Sequence, residues 1–174
     1  TDLLPGTYQV TKVDPAGTVA LADRDGGNPN NISVSLGTNA SVTGRDFEVG
    51  SSIGDLVWVD VDGDGVYDIG EPGLPNVSLE LYGVGTDGLP GTGDDVLVAT
   101  TTTDANGAYL FDVVPRGTYY VDVVGATVPT GLVASPGTTD PTGAIVFAGT
   151  APYLDADFGY TGPAATAVIG DYIW

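Results

Sequence analysis

Short runs in which apolar and polar residues alternate set the character of this chain. Val77, Leu79 and Leu81 alternate with Ser78, Glu80 and Tyr82, a period of two that gives a strand one apolar face. Residues 96–103 read as a second strand ending in a threonine run, and 108–111, 118–124, 144–147 and 154–160 as further strands. Residues 53–59 are rich in β-branched and aromatic side chains and read as the strand that opens this set. Upstream, residues 3–10 read as a turn followed by a strand, and 16–21, 32–36 and 46–49 as short strands between Gly, Asn and Asp turns. Asp104-Ala105-Asn106-Gly107 reads as a tight turn carrying the dipeptide that hairpins favour. No stretch has a helical period of useful length. The predicted class is all-β, with about seven strands between Ile53 and Tyr160, the number in an immunoglobulin-like sandwich.

The pattern recurs along the chain. Leu3-Leu4-Pro5-Gly6-Thr7-Tyr8-Gln9-Val10 and Val113-Val114-Pro115-Arg116-Gly117-Thr118-Tyr119-Tyr120-Val121 share two apolar residues, a proline and Gly-Thr-Tyr-x-Val. Asp46-Phe47 stands as far beyond Thr7 as Asp157-Phe158 stands beyond Thr118, so the two segments align with no net gap. Ile53-Gly54-Asp55-Leu56-Val57-Trp58 reappears as Ile169-Gly170-Asp171-Tyr172-Ile173-Trp174. The expected organisation is the second half of one repeat (1–50), a complete repeat (53–161), a Pro-, Ala- and Thr-containing linker (162–168), and the first strand of a third repeat (169–174). The period, read from Thr7 to Thr118, suits an immunoglobulin-like or prealbumin-like β-sandwich.

One stretch carries candidate chemistry. Counted from Asp60, carboxylates stand at positions 1, 3, 5, 9 and 12 and a glycine at position 6, the ligand spacing of a twelve-residue calcium loop. Asp60, Asp62 and Asp64 would supply side-chain oxygens, Val66 its backbone carbonyl, Asp68 an oxygen directly or through water, and Glu71 both carboxylate oxygens. Gly65 allows the sharp turn. Five acidic groups in one turn with no Lys, Arg or His among them repel one another unless a cation lies between them or protons are taken up. An oxygen-only set favours calcium over zinc or copper. A β-rich segment leads into the loop and Pro72-Gly73-Leu74-Pro75 leads out. The loop therefore sits on a β scaffold with no helix pair to swing, and the expected ion is structural.

Charge narrows the partners. The 174 residues carry a net charge of −19, with Lys12, Arg24, Arg45 and Arg116 as the cations. Nucleic acid and anionic membrane surfaces suit such a chain poorly. There is no Cys, so outside a cell calcium rather than disulfides would staple the loops. There is also no signal peptide, no apolar stretch long enough to span a bilayer and no initiator Met. The sequence reads as an excerpt of a longer, processed chain.

Five motifs in order resemble the SdrD B-like repeat of bacterial surface proteins. They are Ile53-Gly54-Asp55-x-Val57-Trp58-x-Asp60, the acidic loop, Glu71-Pro72-Gly73-Leu74, Thr102-Thr103-Asp104-Ala105-Asn106-Gly107-x-Tyr109-x-Phe111, and Pro115-x-Gly117-Thr118-Tyr119-x-Val121. The resemblance implies a prealbumin-like sandwich of the Cna-B type, arranged in calcium-stiffened tandem arrays that stand off a cell surface. Related Cna-B modules are often locked by a Lys–Asn isopeptide bond. That bond is impossible within this repeat, because no Lys lies between Ile53 and Tyr160.

Other features have competing readings. Residues 86–95 offer Asp87, Asp94 and Asp95 among glycines, either a second calcium site or an acidic hairpin loop. Asp104 and Asn106 read as turn formers before ligands. Trp58 and Trp174 occupy one repeat position and suit core or inter-repeat packing better than sugar stacking. Asn31, Asn39 and Asn76 head glycosylation sequons. With no His or Cys and every dense carboxylate cluster at metal-loop or turn spacing, catalysis is not expected. The expected function is a calcium-binding structural module of an extracellular filament, stalk or adhesin. Its partners would be neighbouring repeats or identical subunits, with strand addition by Ile169–Trp174 to a neighbour's 1–49 half as one mode of assembly. The alternative is an adhesin module that binds a host protein or polysaccharide.

Overall fold

The computed structural model describes residues 3–14, 16, 18–23, 30–38, 40–42 and 47–162. The expected linker from 163 and the strand at 169–174 lie outside the described residues, as do Asp46 and Asn39. Among the described residues eleven strands run in order: β1 (Gly6–Thr11), β2 (Val19–Asp23), β3 (Asn31–Leu36), β4 (Phe47–Val59), β5 (Ser78–Gly83), β6 (Val96–Thr102), β7 (Ala108–Pro115), β8 (Gly117–Val123), β9 (Val133–Ala134), β10 (Ile145–Phe147) and β11 (Phe158–Thr161). A three-residue 3-10 turn, Gly125–Thr127, follows β8.

Two sheets sandwich the main core. One has the order β10-β8-β5-β6. The other has the order β2-β4-β11-β9, with β7 also paired to β4. Leu79 and Leu81 of β5, Val121 and Val123 of β8, and Ile145 and Phe147 of β10 pack in one cluster with Ile53 and Val57 of β4, Phe111 of β7 and Phe158 of β11. The period-two pattern of β5 is realised: Leu79 and Leu81 are fully buried, and Ser78, Glu80 and Tyr82 alternate with them. Burying such side chains stabilises by about 1.5–3 kcal/mol each before entropy is counted.

Besides the strand expected at 154–160, which forms only as Phe158–Thr161, three local expectations differ from the structure. The strands expected at 46–49 and 53–59 are one unbroken strand, β4, of 13 residues. Gly50 explains the continuity. It pairs with Val19 on one edge and Pro115 on the other, so both edges hold the backbone extended. Second, Asp104–Gly107 does not close a hairpin. β6 pairs with β5 and β7 with β4, so the turn carries the chain from one sheet to the other. Asp104 Oδ1 accepts the amides of Asn106 (2.8 Å) and Ala108 (3.0 Å), which is the turn-forming role expected of it. Third, β9 has no counterpart among the expected strands, because two residues carry no period to read.

β1 pairs with β3 through Gly6↔Leu36 and Tyr8↔Val34. β8 pairs with β10 through Gly117↔Phe147 and Tyr119↔Ile145, the same positions one full period further along the chain. The β2–β4 pairing, Val49↔Ala20, resembles the β9–β11 pairing, Tyr160↔Ala134, with the partner strand three residues further along.

Candidate metal centre

The acidic loop leaves the end of β4. Asp60 N donates to Tyr160 O at 2.9 Å, which ties the first loop residue to β11. Asp60 is only 1 % exposed. Its Oδ1 accepts the Gly63 amide at 2.6 Å and its Oδ2 the Gly65 amide at 2.9 Å. Asp62 Oδ1 accepts from Asp64 N at 3.3 Å and Asp64 Oδ1 from Val66 N at 2.8 Å, two Asx-type turns in succession. Glu71 closes the loop from its far end, accepting Val61 N at 2.7 Å and Asp68 N at 3.0 Å. The local fold therefore follows from Asp and Glu acting as backbone acceptors, and it gathers the five carboxylates into two overlapping groups.

Two groups of ligand oxygens result: Asp60, Asp62 and Glu71, and Asp62, Asp64 and Asp68. Within each group the oxygens lie within 4.8 Å of one another. Calcium–oxygen bonds of about 2.3–2.6 Å put oxygens on opposite sides of one ion about 5 Å apart, so both groups fit a calcium shell. Asp62 belongs to both. Asp64, Asp68 and Val66 are exposed, whereas Glu71 is half-buried.

Contacts distant in sequence brace the loop. Gly65 has φ +83°, and a Cβ there would fall 1.9 Å from the Pro136 carbonyl oxygen. The buried Ser135 hydroxyl faces the Asp60 carboxylate closely enough to lower its pKa, yet makes no hydrogen bond of good geometry. Ser135 N in turn donates to Gly159 O at 2.9 Å. Trp58, 5 % exposed, meets Tyr67 of the loop edge-on with ring centroids 5.9 Å apart. Ser135 and Pro136 are not among the residues the sequence singles out, since nothing local marks a residue that braces a loop so far away along the chain.

The electrostatics are uneven. Burial pushes the Asp60 carboxyl up, but the Ser135 hydroxyl and the amides of Gly63, Gly65 and Asp64 outweigh it and hold the pKa below the usual carboxylate range. At Asp62 the Asp64 amide pulls the pKa down. Burial and the charges of Asp64, Glu71 and Asp60 overcome that pull and raise it. Asp62, common to both groups, is thus held by its acidic neighbours above the usual carboxylate range.

In the second acidic loop the carboxylates serve as hydrogen-bond acceptors. Asp94 Oδ2 accepts the Thr86 amide at 2.6 Å and its hydroxyl at 2.9 Å, and Oδ1 accepts the Thr92 hydroxyl at 2.8 Å. The Thr92 and Thr86 hydroxyls and nearby amides lower the Asp94 pKa to about 2. Asp95 accepts the amides of Gly85 and Thr92, both at 2.8 Å, and Asp87 accepts Leu89 N at 2.9 Å. Beside the first loop lies a groove of about 390 Å³ lined by Asp55, Trp58, Tyr67, Thr138 and Asp157. Burial, with Asp55 and Asp155 nearby, pushes Asp157 up to about 6 against the pull of the Leu56 amide.

The SdrD B-like domain matches residues 51–152 of the chain. Bone sialoprotein-binding protein of Staphylococcus aureus is 32 % identical over 127 residues, covering 67 % of this chain and 10 % of that protein. Colossin-A of Dictyostelium discoideum is 42 % identical over 72 residues, covering 41 % of this chain and 1 % of that protein. The chain thus spans a tenth or less of the length of these relatives. Among solved structures, the Bacillus anthracis TIE protein aligns with a TM-score of 0.48 and 19 % identity, covering 92 % of this chain and 26 % of that one. The five sequence motifs and the acidic loop at the end of β4 fall within the matched span, and the chain belongs to the SdrD B-like domain family.

Proposed function

We propose that this chain is a calcium-stiffened structural module of an extracellular or cell-surface array, with neighbouring repeats or identical subunits as its partners. The observation that carries the reading is the pair of oxygen groups that share Asp62, each compact enough for one ion. Asp60, Asp62, Asp64, Asp68 and Glu71 would hold Ca²⁺ with their side chains and Val66 with its carbonyl. The bound ion would supply positive charge where carboxylates otherwise repel. Asp60 is buried and bonded to the Gly63 and Gly65 amides, so it fixes one end of the loop, and Glu71 fixes the other.

The loop's place in the fold changes the mechanical reading. Sequence alone puts it near the boundary between the first two repeats. That boundary lies inside β4 around residues 50–52, whereas Asp60 lies at the other end of the same strand, against Tyr160 of β11. The loop would therefore stiffen the point where the chain leaves the central repeat, and β4 itself stiffens the point where it enters. A second ion at Asp87, Asp94 and Asp95 belongs to the same proposal and would be bound in exchange for amide hydrogen bonds. Nothing in this reading calls for catalysis, and no described helix is long and apolar enough to cross a membrane.

Thermal unfolding in calcium and in excess chelator tests the proposal. The midpoint should fall on chelation, and Asp62→Asn with Asp68→Asn should remove most of the difference. An unchanged midpoint in the unmodified protein would overturn it. A second reading, a polysaccharide-binding adhesin module, is favoured by the groove, where Tyr67 is half-exposed beside Asp55 and Asp157. Binding on a glycan array that is lost in Tyr67→Ala would support it.

A further inference from the structure

β4 has one edge that the described strands leave unpaired. At Phe47–Val49, β2 covers one side of the strand. The other side is taken up by β7 only from Gly50 onward. In the central repeat the same position is filled. β11, the counterpart of Phe47–Gly50 one period later, has β9 on one side and β4 on the other. The β4 pairing is parallel, with Phe158↔Val57 and Gly159↔Trp58. β2 takes the place of β9. The place of Val57 and Trp58 has no described occupant. Among the described residues the match is partial: Val10 of β1 is 43 % exposed where its counterpart Val121 is 0 %, while Ile32 and Val34 of β3 are buried.

The chain carries a second copy of the strand that fills this place, Ile169-Gly170-Asp171-Tyr172-Ile173-Trp174. Its own first unit is out of reach. Phe47 lies about 40 Å from Val59 along β4 at about 3.3 Å per residue. Gly162 lies at the Val59 end, because Asp60 N bonds to Tyr160 O. A parallel strand with Ile173 opposite Phe47 puts Ile169 about 13 Å beyond Phe47, so the gap from Gly162 is about 50 Å. The chain from Gly162 to Ile169 spans at most about 25 Å.

We propose that residues 169–174 of one copy add as a parallel strand to the open edge at Phe47–Val49 of a second copy, with Ile173 opposite Phe47 and Trp174 opposite Glu48. This rests on the array part of the function proposed above and names its partner and register. Each added strand would seat Ile169 and Ile173 where Ile53 and Val57 are fully buried in the central repeat. Because the donor cannot fold back, addition is head-to-tail and does not close within one chain.

The absence of Cys makes the test clean. The 174-residue chain is made as Phe47→Cys with Ile173→Cys, and, as an off-register control, Phe47→Cys with Gly170→Cys, and each is oxidised. Strand neighbours in register lie at Cα distances that accept a disulfide. The expected result is loss of the monomer band into a ladder of multiples of 17.6 kDa for the first pair alone. Three results would overturn the proposal: an oxidised monomer with an internal disulfide, equal ladders for both pairs, or no cross-link while the central repeat melts as in the unmodified protein. Native material running as one giant polypeptide in detergent would overturn it as well. The ladder does not depend on calcium. A ladder without a chelation shift would sink the metal reading and leave this one standing, and a shift without a ladder does the reverse.

Discussion

Gly65 shows how much one residue can be made to do. It turns the loop at φ +83°, donates its amide to Asp60, and lets the Pro136 carbonyl approach where a Cβ would stand. Gly65→Ala should therefore destabilise the central repeat by about 1–3 kcal/mol, through backbone strain and displacement of the brace, and weaken metal binding with it. Thermal unfolding with and without calcium measures both effects. Asp157 makes the opposite case, a group held against its preference. Its carboxyl is raised to about 6 in the fold, with burial as the largest cause. A raised folded pKa means that the folded state holds the proton more tightly than the unfolded one. Stability from this group is present below about pH 4 and is lost as pH rises toward 6. Asp157→Asn should flatten that limb and gain about 1 kcal/mol at pH 7, a figure already reduced for the half of the group that water screens. Chemical denaturation at pH 4 and pH 7 gives the comparison.

At the scale of elements, β4 is the member on which the others are hung. It pairs in succession with β2, β7 and β11, and Gly50 is bonded on both edges. A Cβ at Gly50 would lie 2.7 Å from the Val114 carbonyl oxygen and 3.0 Å from Leu21 Cδ1. Gly50→Val should loosen this joint by about 1–3 kcal/mol through overpacking. Faster amide exchange in β2 and the first turns of pairing on β4, with the Asp60 loop unaffected, is the expected signature. β7 meets β4 through a bulge near Ser51, and there Val113 holds φ +61°. A β-branched residue in the left-handed region is strained, and Val113 buries too little side chain to offset it. Val113→Gly should raise the melting midpoint, by a local gain of about 1 kcal/mol.

For the whole molecule, the proposed stiffness is distributed. The chain enters the central repeat as continuous strand and leaves it beside the acidic loop, so the two ends of one module are held by different means. Calcium at about 100 times its dissociation constant would add about 2.7 kcal/mol to folding. A sandwich of this size would then melt about 10–20 °C higher. Chelation should remove that increment and act on the exit of β11 before the joint at Gly50, which residue-resolved exchange can separate.

The strands and the loop were legible in the sequence because each is written in neighbouring residues. Period two marked the apolar face of β5, and the 1-3-5-9-12 carboxylate spacing marked the loop. Other features were decided between residues far apart. Ser135 and Pro136 brace a loop that begins at Asp60, the Asp104 turn joins two sheets rather than two neighbours, and β4 runs through what looked like a boundary. The physical reason is the range of the forces involved. Turn geometry and side-chain alternation act within a few residues, so the local sequence is enough to specify them. Which strand lies beside which, and which edge stays open, depends on how two apolar sheets bury each other, and only the assembled fold decides that.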